Sequence, residues 1–349
     1  MTIQPQMRAE EPFLIVGAGS SGTTLLSMLL DRHPLIACGP ELSVFNKRRI
    51  YGDYKRLTYH LPLWLSRGLS TDGQSEYREF FCNLNAYFCT TDDLIALARS
   101  SHNQRQFFDR FFMRYLTIRQ KSIWGEKTPS NAYCVRQFVN LYPKARLLHV
   151  VRDGRDSVCS LLRRPGSSAY HSVSHWLYNV SSATACRDVD GYLEIHYEDL
   201  VSSPHRALAY ICHHLGVEFE PRMLEAEDEG YWAQFAGENV HRTWGQNPFL
   251  GISADSVGRH SEDMPRDIEN LFWRVRLTPF ARKRLGVQHS STGDLMQLLD
   301  YTGEMTTGTG RVASQHYRSA VKEWWLRFKR ELRLERRIWL PLTYIRSFT

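Results

Sequence analysis

No stretch of this 349-residue chain approaches the roughly 18 uncharged apolar residues that a membrane-spanning helix needs. The opening MTIQPQMRAEEPF lacks the basic and apolar regions of a signal peptide, which argues against secretion. Cysteine is sparse: seven residues (38, 82, 89, 134, 159, 186 and 212), odd in number and without a C-x-x-C pair. That pattern argues against a disulfide scaffold or a zinc framework. It reads as reduced thiols, so the expected compartment is cytoplasmic. No His/Cys/Asp cluster has ligand spacing, and no metal is expected. Internal repeats and low-complexity tracts are missing too. With 42% hydrophobic and 23% charged residues, neither a disordered nor a fibrous chain fits.

Excess charge is absent from most of the chain. The net charge is +7, yet residues 311–349 alone hold ten Lys/Arg against three Asp/Glu, while the first 310 carry 34 of each sign. The basic character belongs to a tail, and no nucleic-acid partner is expected.

What is present is an alternation of strands and helices. Residues 12–16 form a short apolar run closed by glycines, as a buried parallel strand does. An apolar helix over 23–30 must stop near His33-Pro34, because the residue before proline avoids the helical region. Residues 35–38 read as a weak strand, 146–151 as a strong one, and 192–197 alternate like a third. Helices are expected over 130–141, 154–163 and 204–215, the last ended by Gly216. This order predicts an α/β fold with a mostly parallel sheet. Residues 45–122 read as a helical, aromatic-rich insertion suited to an acceptor lid. After residue 290 a small polar stretch reads as a linker to a basic amphipathic helix over 315–337, dividing the chain into 1–290 and 291–349.

Between the first strand and helix lies GAGSSGTT (17–24), where backbone amides and the helix dipole make an anion site. Gly17, Gly19 and Gly22 match G-x-G-x-x-G, which would make an NAD- or FAD-binding oxidoreductase. The end of the loop, SSGTT, instead offers hydroxyls and amides to a phosphate. No lysine is present, so a Walker ATPase is disfavoured. A capped turn without a ligand is the third reading. A second segment bears on the choice. Arg152 ends the strong strand and Ser160 lies in the next helix, so the two can converge on one anion above the strand ends.

Four motifs, FLIVGAGSSGTTLLSMLLDRHP, WGEKTPSN, RLLHVVRDGRDSVCSLLRR and IHYEDLVSSP, occur in this order. Together they resemble sulfotransferases that use 3′-phosphoadenosine 5′-phosphosulfate (PAPS), nearest the branch of bacterial and tyrosylprotein sulfotransferases. The resemblance covers about residues 12–265. It implies a P-loop-like three-layer α/β fold with a helical insertion and a C-terminal helical extension. It also implies that Ser20, Ser21, Gly22, Thr23 and Thr24 hold the 5′-phosphosulfate, and that Arg152, Ser160 and Arg164 hold the 3′-phosphate. Tyr197 then lies by the adenine, or is simply a core aromatic, and Arg259 of DSVGRH closes over the cofactor. Glu41, in CGPE, matches the general base of the tyrosylprotein branch, its alternative being a helix-start glutamate favoured by the dipole. Lys127 of EKTP matches the lysine that stabilises the transferring group.

One position departs from the family. Members usually carry Lys or Arg where this chain has Ser20, and the replacements on offer are Lys127 or an arginine such as Arg155. The expected reaction moves a sulfuryl group from PAPS to an acceptor hydroxyl or amine, leaving 3′-phosphoadenosine 5′-phosphate. The acceptor class (carbohydrate, phenol, lipid or peptide) is open. Two readings compete: the oxidoreductase, and a catalytically weak sulfotransferase-like module that binds a partner. In the tail, Trp324, Trp325, Leu326 and Phe328 alternate with Lys322, Arg327, Lys329 and Arg330. That pattern fits peripheral contact with anionic lipid, or docking on the main domain with the charges solvated.

Overall fold

The structure, a computed structural model, describes residues 11–45, 54, 83–164, 166–225, 252–301, 312–334 and 342–346, with 327–334 as backbone only. Five parallel strands form its central sheet in the order β2-β3-β1-β4-β5. They are β1 (Phe13–Gly17), β2 (Ile36–Cys38), β3 (Ile123–Lys127), β4 (Arg146–Val151) and β5 (Tyr192–His196). Their side chains alternate between faces as a pleat requires. Leu14, Val16, Ala37, Trp124 and Leu147 enter one core, while Phe13, Ile15, Ile36, Leu148, Val150 and Ile195 enter the other. In the β1–β3 register Phe13 faces Gly125, where an added Cβ would stand 2.0 Å from the ring. Only glycine lets the two central strands pair there.

Helix α1 (Thr23–Asp31) covers the second face. Helices α2 (Thr91–Ser100), α3 (Gln104–Arg119) and α4 (Val135–Leu141) cover the first. Helices α5 (Gly154–Leu162) and α6 (Ala169–Thr184) build a third cluster, and α7 (Tyr197–Ser202) and α8 (Pro204–Leu215) return to the second face. Gly216 ends α8 in the left-handed conformation, φ 69°, as its position after the apolar run predicts.

The structure departs from the sequence expectations in four places. Strand β3 was not expected, and it separates β2 from β1. Residues 130–141 split into a 3-10 turn, Pro129–Tyr133, followed by α4. The described aromatics of the insertion are core rather than lid. Phe107, Phe108, Phe111 and Phe112 recur at helical spacing on α3, and Phe112 stacks on Trp124 with centroids 3.7 Å apart. Tyr51, Tyr59, Trp64, Phe80 and Phe81 lie outside the described residues.

The fourth departure is the linker. After α9 (His260–Asp263), α10 (Arg266–Phe272) and α11 (Pro279–Leu285) comes α12 (Thr292–Leu298). Ser291 and Asp294 form its capping box, and Thr292, Leu295 and Met296 are buried in the third cluster. The tail then packs back. Helix α13 (Ser314–Leu334) lies on α6, with the Ser168 hydroxyl donating to Glu323. Strand β7 (Thr343–Ile345) pairs antiparallel with β6 (Val275–Leu277). Trp324, Trp325 and Leu326 remain 38%, 46% and 55% exposed. Among the described residues no helix is long and apolar enough to cross a membrane.

Candidate functional site

Most candidate side chains sit just past the carboxyl ends of strands, where open parallel sheets bind ligands; Ser160 and Arg164 come from α5 and its end, and Arg259 from a later segment. The loop after β1 turns sharply into α1. Ser20 is left-handed at φ 65° and Gly22 at φ 91°. A Cβ on Gly22 would lie 2.3 Å from the Tyr197 ring, so glycine is what lets the loop pass over that aromatic. Ser21 is fully buried and its hydroxyl has no hydrogen-bond partner; Thr23, also buried, opens the helix, with Thr24 next.

Arg152, the first residue past β4, donates from Nη1 to the Ser20 carbonyl (3.0 Å) and from Nη2 to the Ser256 carbonyl (2.5 Å). Its guanidinium lies 4.5 Å over the Tyr197 ring, and the Tyr197 hydroxyl pairs with Ser256 Oγ at 2.8 Å. One arginine therefore joins the first loop, the strand-end tyrosine and the late segment 255–260. Asp156 holds that late segment in place by accepting from the Gly258 and His260 amides, each at 2.8 Å, and from the His260 ring at 2.7 Å. Burial alone would raise the Asp156 carboxyl, but the His260 and Gly258 donors and Arg152 carry it below its ordinary value.

Arg259 comes with this segment, 3.9 Å from Asp263. Burial, and then the like charges of Arg163 and Arg152, hold it below its ordinary value. Positive groups crowded against each other in this way fit an anion. Ser160 is half-buried in α5 and makes no hydrogen bond to Arg152, so the structure does not join those two. Arg155 is turned away from the loop: Nε and Nη2 both bind Asp153, at 3.1 and 2.6 Å.

The acid–base pair forms beside the same loop. Lys127 ends β3, nearly fully buried, and donates to Glu41 Oε1 at 2.6 Å and to Thr24 Oγ1 at 3.0 Å. Glu41, 38% exposed, is fixed by its backbone: Asn83 donates to its carbonyl and Tyr87 to the carbonyl of Pro40. The next two amides are fixed as well, Leu42 donating to Glu126 and Ser43 to Thr128 Oγ1, each at 3.0 Å. Sequence reasoning missed Glu126, Asn83 and Tyr87. The signal for Glu126 was its place in GEKT, a charge inside a strand. Two histidines near these strands are engaged away from the loop: His33 with the Leu35 amide and Glu218 carbonyl, His149 with Tyr192.

His175 was also missed. From α6 its Nε2 accepts the Gly19 amide at 3.2 Å, tying the third cluster to the loop.

The set fits a phosphorylated ligand. Around the loop, Ser21 Oγ and the Nε atoms of Arg152, Arg164 and Arg259 are buried with no hydrogen-bond partner. Such atoms cost free energy unless a ligand satisfies them. The strand order bears on which ligand. In a dinucleotide fold β2 pairs with β1 and presents its acidic end to the ribose. Here β3 intervenes, and Glu41 is bound to Lys127.

A sulfotransferase-family profile matches residues 12–221. The protein-tyrosine sulfotransferase of Drosophila melanogaster is 25% identical over 230 residues, covering 63% of this chain and 41% of its own length. Protein-tyrosine sulfotransferase 1 of Danio rerio is 24% identical over 232 residues, covering 61% and 55%. The chain thus spans about half the length of these relatives. Among solved structures, the sulfotransferase domain of the Synechococcus PCC 7002 olefin synthase superposes with a TM-score of 0.53 at 20% identity, over 75% of this chain and 91% of that one. The sulfotransferase domain from the curacin biosynthetic pathway gives 0.56 at 16% identity, over 84% and 98%. At that identity the superpositions show the fold.

Proposed function

This chain belongs to the sulfotransferase family, and from that premise we propose that it transfers a sulfuryl group from PAPS to an acceptor hydroxyl. The observation that carries the proposal is the hydrogen-bonded run Glu41–Lys127–Thr24, which brings a base and a cation to the edge of an anion loop. Neither a capped turn nor a dinucleotide site needs that run.

In this reading the loop 20–24 receives the 5′-phosphosulfate, and Arg152, with Ser160 and Arg259, receives the 3′-phosphate. Tyr197 forms the wall near the adenine. The acceptor oxygen attacks sulfur in line with the departing phosphate. Glu41 Oε1 is held by Lys127, so Oε2 is the oxygen that takes the acceptor proton. Lys127 lies close enough to the same centre to stabilise the charge spreading over the sulfuryl oxygens. These fixed cations carry the electrostatic work, so activity is expected to survive exhaustive chelation; a loss restored by a divalent ion would refute that.

The named relatives act on protein tyrosine, so a tyrosyl peptide is the first acceptor to test, beside sugars, phenols and lipids. Calorimetry against 3′-phosphoadenosine 5′-phosphate and NAD tests the donor site. Micromolar binding of the first and none of the second is expected, and the reverse would restore the oxidoreductase. Transfer from labelled PAPS then separates an enzyme from a binding module.

A further inference from the structure

Helix α13 divides its surface into three lines, because positions three or four apart stack on one side of a helix. His316, Ala320 and Glu323 make the line that faces the main domain. His316 is buried with Nε2 3.1 Å from an Asp267 oxygen, and Ala320 packs on the third cluster. Glu323 accepts from Ser168 and, at 2.9 Å, from Ser319 Oγ. Docking on the main domain, which the sequence left as an alternative to lipid contact, is thus met by one side of the helix alone.

Tyr317, Val321, Trp324 and Trp325, at i, i+4, i+7 and i+8, make the second line. All four are exposed, Val321 by 66%. Arg318 and Lys322 make a third line beside it. Both are exposed, and among the described residues no carboxylate pairs with either. The helix runs on to Leu334, and Phe328 falls at a position of the apolar line and Lys329 at one of the basic line. Glu323 is the only acid in residues 314–326, and it is turned inward. The outward side is therefore apolar and positive at once.

A surface that fits this side must offer apolar depth and negative charge along one plane. A bilayer carrying anionic lipid offers both. The aromatic rings and Val321 suit the boundary between headgroups and acyl chains, while the stems of Arg318 and Lys322 reach the headgroups. A neutral bilayer would give the basic line no counter-charge, and a second copy of this chain would bring a second basic line to the same contact.

We propose that α13 is an interfacial helix that seats the folded protein on an anionic lipid surface. The apolar line enters the headgroup boundary and the basic line meets the lipid charges. Lipid binding of this kind does not depend on which nucleotide the loop receives.

The test uses the full chain, with vesicles of phosphatidylcholine alone and of phosphatidylcholine with phosphatidylserine, and reads the bound fraction by co-sedimentation. Binding to the second and not to the first is expected, weakening as salt rises because the charges are exposed. Arg318→Gln with Lys322→Gln is expected to weaken it about tenfold or more. Val321→Ser with Trp325→Ser is expected to weaken it at low salt as well as high, since it removes apolar contact rather than charge. Lys283→Gln with Arg284→Gln, the same loss of charge at exposed positions of α11, should stay within about twofold of wild type. Circular dichroism and melting curves are expected to show every pair folded, which separates lost binding from misfolding. No binding to phosphatidylserine vesicles at low salt, equal binding to both lipids, or equal loss from the α11 pair overturns the proposal. So does a dimer that the Val321 and Trp325 substitutions dissociate, in a chain that ignores vesicles. A chain that binds vesicles and no 3′-phosphoadenosine 5′-phosphate upholds the lipid surface and refutes the PAPS reading instead.

Discussion

Glu41 is held by its main chain and only touched at its side chain, the arrangement a base needs if it is to be fixed and still reach solvent. Four partners grip residues 40–43: Tyr87, Asn83, Glu126 and Thr128. Glu41→Gln keeps this grip, so it is expected to leave cofactor affinity unchanged and cut turnover by roughly 10²–10⁴. Turnover within a few fold of wild type would move the base elsewhere. Arg152→Ala, by contrast, should weaken 3′-phosphoadenosine 5′-phosphate by about ten- to a hundredfold, the value of a charge-assisted contact of 1.5–3 kcal/mol, with folding retained. Calorimetry beside circular dichroism checks both parts.

Glu126 allows a pH test. It is fully buried, and burial pushes its carboxyl above the ordinary value near 4.5 even though Thr128, Leu42 and Asn131 donate to it. A raised folded value means that the folded state holds the proton longer than the unfolded one, so stability falls as pH rises from about 4.5 through the folded value. Glu126→Gln removes that slope. Its amide can also turn to Asn131 Oδ1, which is buried without a partner. Melting curves from pH 4 to 8 should therefore show the variant gaining on wild type as pH rises; parallel curves would mean that the carboxyl is not raised.

At the scale of elements, legibility followed the purity of the pattern. Strand β1 is an unbroken apolar run, β4 one interrupted only by His149 after its opening Arg146, β5 alternates, and α8 ends on its glycine; all four stand where the sequence puts them. Strand β3 was hidden because IWGEK ends in two charges, and both are buried for the site's sake. The aromatic insertion misled because lids and cores use the same residues, and only the spacing on α3 tells them apart. In the site, motif spacing singled out Glu41, Lys127 and Arg152, which the structure brings to one loop, and Arg259 of the late segment that Arg152 binds. It could not find Asn83 or Tyr87, whose side chains bind the carbonyls of Glu41 and Pro40 from a distant part of the chain.

The late segment 255–260 shows how one helix residue sets a loop. Asp156 accepts three hydrogen bonds from it, all of which need an acceptor with no hydrogens of its own. Asp156→Asn turns an NH2 towards donors and is expected to free Arg259, lowering 3′-phosphoadenosine 5′-phosphate affinity about tenfold while the sheet stays intact. Because the folded Asp156 value is depressed, the anchor is complete above pH 3.8 and is lost only as pH falls through the folded value. Wild-type affinity should thus show no loss from this group between pH 5 and 8. Unchanged affinity in the variant would mean that the segment does not close on the ligand.

For the whole molecule, the question is whether residues 302–349 are an appendage. A linker after residue 290 predicts that truncation near residue 300 leaves cofactor binding intact. The packing predicts otherwise. Val312 is buried in the third cluster, with Ala320, Leu342 and Ile345 against it. Tyr170 donates to the Thr343 carbonyl at 2.9 Å, and β7 completes a two-stranded sheet with β6. Fully burying one aliphatic side chain is worth about 1.5–3 kcal/mol; Val312 is buried and the other three partly, so the set contributes a few kcal/mol against the roughly 5–15 kcal/mol that holds a domain together. The loss would fall on α6, which carries His175 to the Gly19 amide. Truncation after Tyr301 is therefore expected to lower the melting temperature and weaken 3′-phosphoadenosine 5′-phosphate together. Tyr170→Phe, which removes the hydroxyl that binds Thr343, should cost about 1 kcal/mol. Trp325→Ser, at a side chain 46% exposed, should cost much less stability than the truncation. Co-sedimentation of that variant with anionic liposomes, at low and high salt, then tests the exposed aromatics of α13 apart from the fold. If the truncated chain keeps both its melting temperature and its affinity, the tail is a docked appendage and α6 stands without it.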